Sequence, residues 1–257
     1  MNGINPIIVL CKRELLRIWR DKIQVMMLFI MPLVLVVISL QNYSSVPEAN
    51  KRMLPVIMIM TMLVTVFTIS LSLVLDKQRG AMKTILTAPI SRTTVILSRI
   101  LFGTAFAILF GLIPMIIAPF IHIQLAWTAV LITVAVMSIS AFCFAALAVF
   151  FGTMIDSIQG YILVCSCLIV LIMRFGVISG YSMARPVLYY SSYLNPGAYG
   201  ADLIRYALSG QTRDIFFNMA QFDISINISA LLGMTLILSM VSVYILNRKI
   251  KKGEFLQ

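Results

Sequence analysis

Apolar windows recur along the chain at a length that suits lipid. A hydrocarbon layer about 30 Å thick takes about 20 apolar residues per helix, and windows of that order occur at 23–40, 53–75, 95–120, 127–152, 157–178 and 224–247. A polar stretch with Pro47, Glu48, Lys51 and Arg52 parts the first two and reads as a turn. Between Arg99 and Asp156 no Asp, Glu, Lys or Arg occurs. That run is too long for one helix and fits two joined tightly near His122, where Pro119 and Gln124 break it and Trp127 suits the interface that follows. The fifth window carries Arg174 near its far end. A helix satisfies its own backbone hydrogen bonds, so the pattern predicts an all-α integral membrane protein with six transmembrane helices.

The flanking segments carry the charge. Residues 1–22 read as an interfacial amphipathic helix, with Ile7, Ile8, Cys11, Leu15, Ile18 and Trp19 on one face and Arg13, Arg17, Arg20 and Asp21 opposite. The run that follows has no small-residue cleavage site, so a retained span is expected and not a cleaved signal peptide. Lys and Arg gather in this segment, in the loop at 76–94 and after residue 247, all on one side of a six-span topology. The positive-inside rule then places both termini and that loop in the cytoplasm and the segment 179–223 outside. That outer segment holds Arg185, Arg205 and Arg213 against Asp202, Asp214 and Asp223, and an element dipping into the membrane without crossing it is compatible with the pattern.

Composition narrows the function classes. The chain is 61% hydrophobic and 11% charged, against about 45–50% and about 25% in soluble domains. The net charge of +11 points to an anionic lipid surface; no nucleic-acid module or aromatic-interleaved basic patch is present, so nucleic acid is not an expected partner. Cys11, Cys143, Cys165 and Cys167 have no metal-ligand spacing and read as small packing residues. There is one histidine, and no paired acids stand at membrane depth, so no catalytic residues, metal or cofactor are expected. No Gly-rich loop followed by Lys and Ser or Thr occurs, so any ATP must be bound by a separate subunit.

Two segments are patterned beyond what connection requires. In the loop from Asp76 to Arg92, Gly80 opens a short helical stretch in which Met82, Ile85 and Leu86 form an apolar face. Pro89 stops the stretch, and Ser91 is placed to cap the next helix. In the outer segment Asn195 reads as a helix cap, Pro196 as its first turn and Gly210 as its end, with Asp202 and Arg205 one turn apart as an exposed pair. Tyr181, Tyr189, Tyr190, Tyr193, Tyr199 and Tyr206 crowd the same stretch, as in short helices at a membrane interface. A structural lid and direct substrate contact are both open readings. Arg174 either snorkels to the outer headgroups or faces the interior.

The run Arg79-Gly80, then Leu86, then Ala88-Pro89-Ile90-Ser91-Arg92, together with the basic amphipathic start and Leu194-Asn-Pro-Gly-Ala-Tyr-Gly-Ala-Asp-Leu-Ile-Arg205, resembles the ABC-2 (type-2 ATP-binding cassette) permease family, most closely its drug and antibiotic-export branch. The resemblance implies that the loop at 76–94 is a coupling helix for a cytoplasmic ABC ATPase subunit, with Arg79, Gly80, Leu86 and Pro89 as coupling residues and Asp156, in the turn after span four, as a second, smaller contact. It implies a second permease copy or a sister permease, efflux of an amphipathic or lipid-like substrate, and a bacterial plasma membrane. Arg174, Asn195, Pro196, Tyr199, Asp202 and Arg205 would form the outer gate or substrate exit. Where many relatives carry Gly-Thr, any residue, then Glu, this chain has Gly80-Ala81-Met82-Lys83. A secondary transporter and a non-transporting six-helix sensor or scaffold are the alternatives, the first disfavoured by the lack of acids within the spans.

Overall fold

The computed structural model of the protein describes residues 6–43, 47–82, 84, 90–121, 126–178, 190–209 and 222–251. Its elements among these are α1 (Pro6–Arg20), α2 (Lys22–Tyr43), α3 (Pro47–Gln78), α4 (Arg92–Gly111), α5 (Ile113–Ile117) with a 3-10 turn (Ala118–Ile121), α6 (Trp127–Met154), α7 (Ile158–Ile172) with a π turn (Met173–Ile178), α8 (Pro196–Ser209) and α9 (Ile224–Lys251). Among the described residues five stretches are long and apolar enough to cross a membrane, at Met53–Gln78, Arg92–Phe120, Trp127–Met154, Ile158–Val177 and Ile224–Lys249, and there are six if the bent α1–α2 pair counts as one span. The protein is an all-α membrane protein.

The apolar windows mark these helices, and the ends differ for identifiable reasons. The axes of α1 and α2 meet at 95°. Asp21, expected on the charged face of the first helix, instead caps α2, its carboxylate accepting from the Gln24 backbone N–H at 3.1 Å. The polar stretch expected as a turn is helical from Pro47, since proline at the first position sacrifices no backbone bond. With 32 residues, α3 is about 48 Å long at about 1.5 Å per residue, so its ends leave the hydrocarbon layer. The third window is broken at Leu112, and Pro114 starts α5 in the first turn, where its missing N–H costs nothing. His122 and Gln124, expected to mark the next turn, lie outside the described residues.

Helix α3 is the central column. Of its apolar stretch 67% is buried, against 17% for α9, and Met58, Ile59, Met62 and Leu63 have no exposed surface. It packs on α4, α6, α7 and α8. The side of α6 that meets these neighbours is built from small residues, Ser140, Ala141, Cys143, Ala145, Ala148 and Gly152, all buried. Small residues let helix backbones approach closely where lipid offers no hydrophobic drive for association. A Cβ on Gly103 of α4 would lie 3.3 Å from the Ala145 Cβ. The four cysteines are free thiols.

Of the segment 179–223, residues 190–209 and 222–223 are described, and they hold α8. Helix α8 is packed into the bundle against α6, α9 and α3, with every residue from Asn195 to Ile204 buried. Its 14 residues reach about 21 Å, short of the hydrocarbon thickness of about 30 Å. Gly200 lets it approach α6, where a Cβ on that residue would meet the Ser140 Oγ at 3.0 Å, while Gly197 and Ala198 lie against the end of α7.

Candidate functional site

At one end of the bundle the charged residues organise into two clusters. The first joins α1, α3 and α4. Arg99, 6% exposed, lies within the third span and is hydrogen bonded to Asp76 and Ser72. Its Nη1 is also 2.6 Å from the Glu14 carboxylate. Asp76 and Glu14 are each 3% exposed. Asp76 Oδ1 accepts from Arg13 at 3.2 Å and from Arg17 at 2.9 Å, and Arg17 also donates to the Ser72 carbonyl at 3.1 Å. A buried arginine is costly unless its charge is paired and its donors are used, and both acids are supplied here.

This cluster changes the reading of α1. The stripe of Ile7, Cys11, Glu14 and Ile18 turns toward the bundle, with Glu14 and Ile18 buried. Ile8, Leu15 and Trp19, expected on the same face, stand outside it at 60%, 46% and 76% exposure. The helix therefore has an ionic inner edge and an apolar outer edge, which suits a helix lying at headgroup depth. Glu14 and Arg99 were not among the sequence-derived candidates. A lone acid in a basic helix and an arginine inside an apolar window are the signals that point to them.

The second cluster joins α3, the α6–α7 turn and α9. Lys77 Nζ reaches Asp156 Oδ1 at 2.7 Å and donates to the carbonyls of Thr153 and Ile155 at 3.2 and 2.6 Å, closing the C-terminus of α6. Lys249 donates to the Met154 carbonyl at 3.0 Å and to Asp156 Oδ2 at 2.5 Å. Arg92 at the start of α4 donates to Asn247 Oδ1 at 2.8 Å. Desolvation pushes the Asp156 carboxyl up, but the hydrogen bonds from Lys249 and Lys77 outweigh it and hold its pKa below the ordinary aspartate value of 3.8. A depressed pKa stabilises the fold above the unfolded value and ceases to do so as pH falls through the folded one. Asp156→Asn is therefore expected to lower the unfolding midpoint in detergent at neutral pH, and the difference from wild type is expected to shrink as pH falls below 3.8 and to vanish only below the lowered folded-state pKa.

Between the clusters, α3 ends at Gly80, whose φ of +71° suits glycine and whose Cβ position is open. Gly80 thus ends one helix as much as it opens the next stretch. Met82, expected on an outward apolar face, is 1% exposed and belongs to the bundle core. Leu86, Pro89 and Ile85 lie outside the described residues. Ser91 caps α4 as the sequence indicates, accepting from the Thr94 N–H at 3.2 Å. Arg79 is exposed and lines a groove of about 610 Å³ between α1 and the end of α3.

The outer candidates form a joint between α7 and α8. Asn195 Oδ1 accepts from the Gly197 N–H at 2.9 Å, while its Nδ2 donates to the carbonyls of Ile172, at 2.8 Å, and Phe175. It caps α8 and holds the broken end of α7 at once. Gly176, with φ of +140°, makes that break, and a Cβ there would stand 2.7 Å from the Ala198 Cβ. Asp202 and Arg205, expected as an exposed pair, lie 3.2 Å apart with Asp202 buried and Arg205 half-buried, and Arg205 also donates to the Val177 carbonyl at 2.6 Å. Burial brings desolvation costs that the exposed-pair reading omits. Tyr199 donates to the Tyr193 carbonyl at 2.7 Å and packs on Phe222. Pro196 is buried in the first turn of α8, whereas Arg174 is exposed on the π turn. Ser179, Gly180, Tyr181, Tyr189 and Gly210 lie outside the described residues.

Comparison with known proteins bears on what this arrangement belongs to. No curated protein matches the chain. The family model of the ABC-2 type transporter matches residues 5–209, which take in α1 to α8. With that match over most of its length, an apolar helical bundle and a basic, ion-paired end, the chain is a membrane-spanning member of the ABC-2 type transporter family.

Proposed function

We propose that the protein is the channel-forming permease of an ATP-driven exporter, moving an amphipathic drug, antibiotic or lipid-like substrate outward while a separate cytoplasmic ABC ATPase subunit hydrolyses ATP. The family is that of a transporter's membrane component; the direction, substrate and coupling are our reading. Two permease copies, identical or sister, complete the pathway across a bacterial plasma membrane, with six spans per copy and both termini cytoplasmic. The positive charge collected at one end of the bundle supports that orientation.

The observation that carries the coupling reading is the pair of ion clusters flanking the 76–94 loop. Asp76 ties the end of α3 to α1 and α4, and Lys77 ties it to Asp156 and α9. A displacement imposed on the loop by an ATPase is then delivered to α3. Helix α3 packs on α8 at the other end of the bundle, so the outer joint built on Asn195, Pro196, Tyr199, Asp202 and Arg205 moves with it. Arg79, Gly80, Leu86, Pro89 and Asp156 are the proposed coupling residues, and Arg174 stands beside the exit.

Affinity purification from membranes is expected to recover an ABC ATPase with the chain. Gly80→Val and Leu86→Ala are expected to reduce substrate-stimulated ATP hydrolysis and efflux at unchanged protein abundance. Recovery of the chain without an ATPase, with efflux unaffected by either substitution, would leave a non-transporting sensor or scaffold as the better reading.

A further inference from the structure

The groove between α1 and the C-terminal end of α3 holds more positive charge than the described residues balance. Lys12, Arg13, Arg17, Arg20 and Arg79 line it against a single acid, Asp76. That acid is already engaged by Arg13, Arg17 and Arg99. Arg13 Nη1 is buried and has no hydrogen-bond partner among the described residues, and a buried donor left in that state is costly unless a group from outside the chain accepts from it. The rest of the wall is apolar. Val9 and Leu16 line it and are 50% and 48% exposed, continuous with the outer edge of α1 that carries Trp19.

We propose that this groove binds the phosphate headgroup of an anionic phospholipid, with the acyl chain lying along Val9 and Leu16. Guanidinium groups match the geometry of phosphate oxygens, and Arg13 supplies a donor ready for one. A volume of about 610 Å³ is in the range of small-molecule sites. The adjoining apolar wall favours a lipid over an acidic protein surface, since a helix with this division of faces sits at the depth where headgroup and chain meet. The bound lipid would neutralise the surplus charge beside the Asp76 cluster and fix α1 against α3. This inference does not depend on the transport reading.

The chain has two tryptophans, and Trp127, 84% exposed, is replaceable. In the full-length Trp127→Phe protein, Trp19 reports on the groove in mixed micelles. Brominated phosphatidylglycerol is expected to quench Trp19 several-fold more strongly than brominated phosphatidylcholine, and high salt to reduce the difference. Lys12→Gln, Arg20→Gln and Arg79→Gln, which spare the Asp76 cluster, are each expected to weaken phosphatidylglycerol binding by roughly fivefold and together to abolish the preference. Equal quenching by the two lipids in the otherwise unsubstituted protein overturns the proposal without any variant. Retention of the preference in the triple variant overturns the assignment to the groove. Displacement of the brominated lipid by inorganic phosphate beyond the effect of sodium chloride at equal ionic strength identifies a free-anion site in place of a lipid site. Loss of a co-purifying acidic protein in the triple variant, with no lipid preference to begin with, identifies a docking surface.

Discussion

Asp76→Ala is expected to destabilise the folded protein by about 3–5 kcal/mol, the cost of leaving a buried ion without its partner. Asp76 holds Arg13, Arg17 and Arg99 together, and both it and Arg99 are buried. Its removal leaves the three arginines with Glu14 as the remaining acid of the cluster. The readout is the midpoint of heat or SDS unfolding in detergent followed by circular dichroism. Asp76→Asn preserves the shape and removes the charge, and should fall between. Adding Arg99→Met to Asp76→Ala is expected to recover part of the loss, because apolar groups in place of a buried pair cost less than an orphaned charge. A wild-type midpoint for Asp76→Ala would mean that the cluster does not secure α1 to the bundle.

The second large effect is expected at the α7–α8 joint. Asn195→Ala leaves the Ile172 and Phe175 carbonyls without their side-chain donor, at about 1–3 kcal/mol for a buried group left unpaired, and removes a helix cap worth about 1 kcal/mol. Asn195→Ser keeps a capping oxygen without the amide donor and should lose only the first part. Gly197→Val tests the same joint sterically, since a Cβ there falls 2.3 Å from the Ile172 Cγ2. Overpacking of that kind costs about 1–3 kcal/mol. All three are measured as unfolding midpoints. Under the proposed function the variants also lose efflux while still recovering the ATPase subunit, because the joint lies at the far end of the bundle from the coupling loop. Equal midpoints for Asn195→Ala and Asn195→Ser would show that the cap contributes nothing measurable, and a wild-type midpoint for Asn195→Ser would show the same of the donor bonds to α7.

The two clusters were unequally visible in the sequence. Asp156 was a candidate because it stands alone in a short polar turn between apolar windows. Its partners, Lys77 and Lys249, are separated from it by 79 and 93 positions, and no local pattern links them. Glu14 lay hidden because helical periodicity groups residues by hydropathy, and the stripe that packs on α4 is not the most apolar one. Likewise Asp202 and Arg205 fit an exposed one-turn pair equally well on a surface helix and a buried one. What buries α8 is the small-residue face of α6, a property of another segment of the chain.

The sequence by itself determined the helical membrane class, the approximate spans, the basic end and the capping residues Ser91 and Asn195. These follow from local rules: the thickness of the hydrocarbon layer, the need to satisfy backbone polar groups within a helix, and the hydrogen-bonding reach of a side chain to its own helix terminus. Only the tertiary structure decided which charges pair, which edge of α1 faces the bundle, and that α8 enters it. Those outcomes depend on distances between segments far apart in the chain, where burial turns an ordinary surface charge into a group that must find its partner.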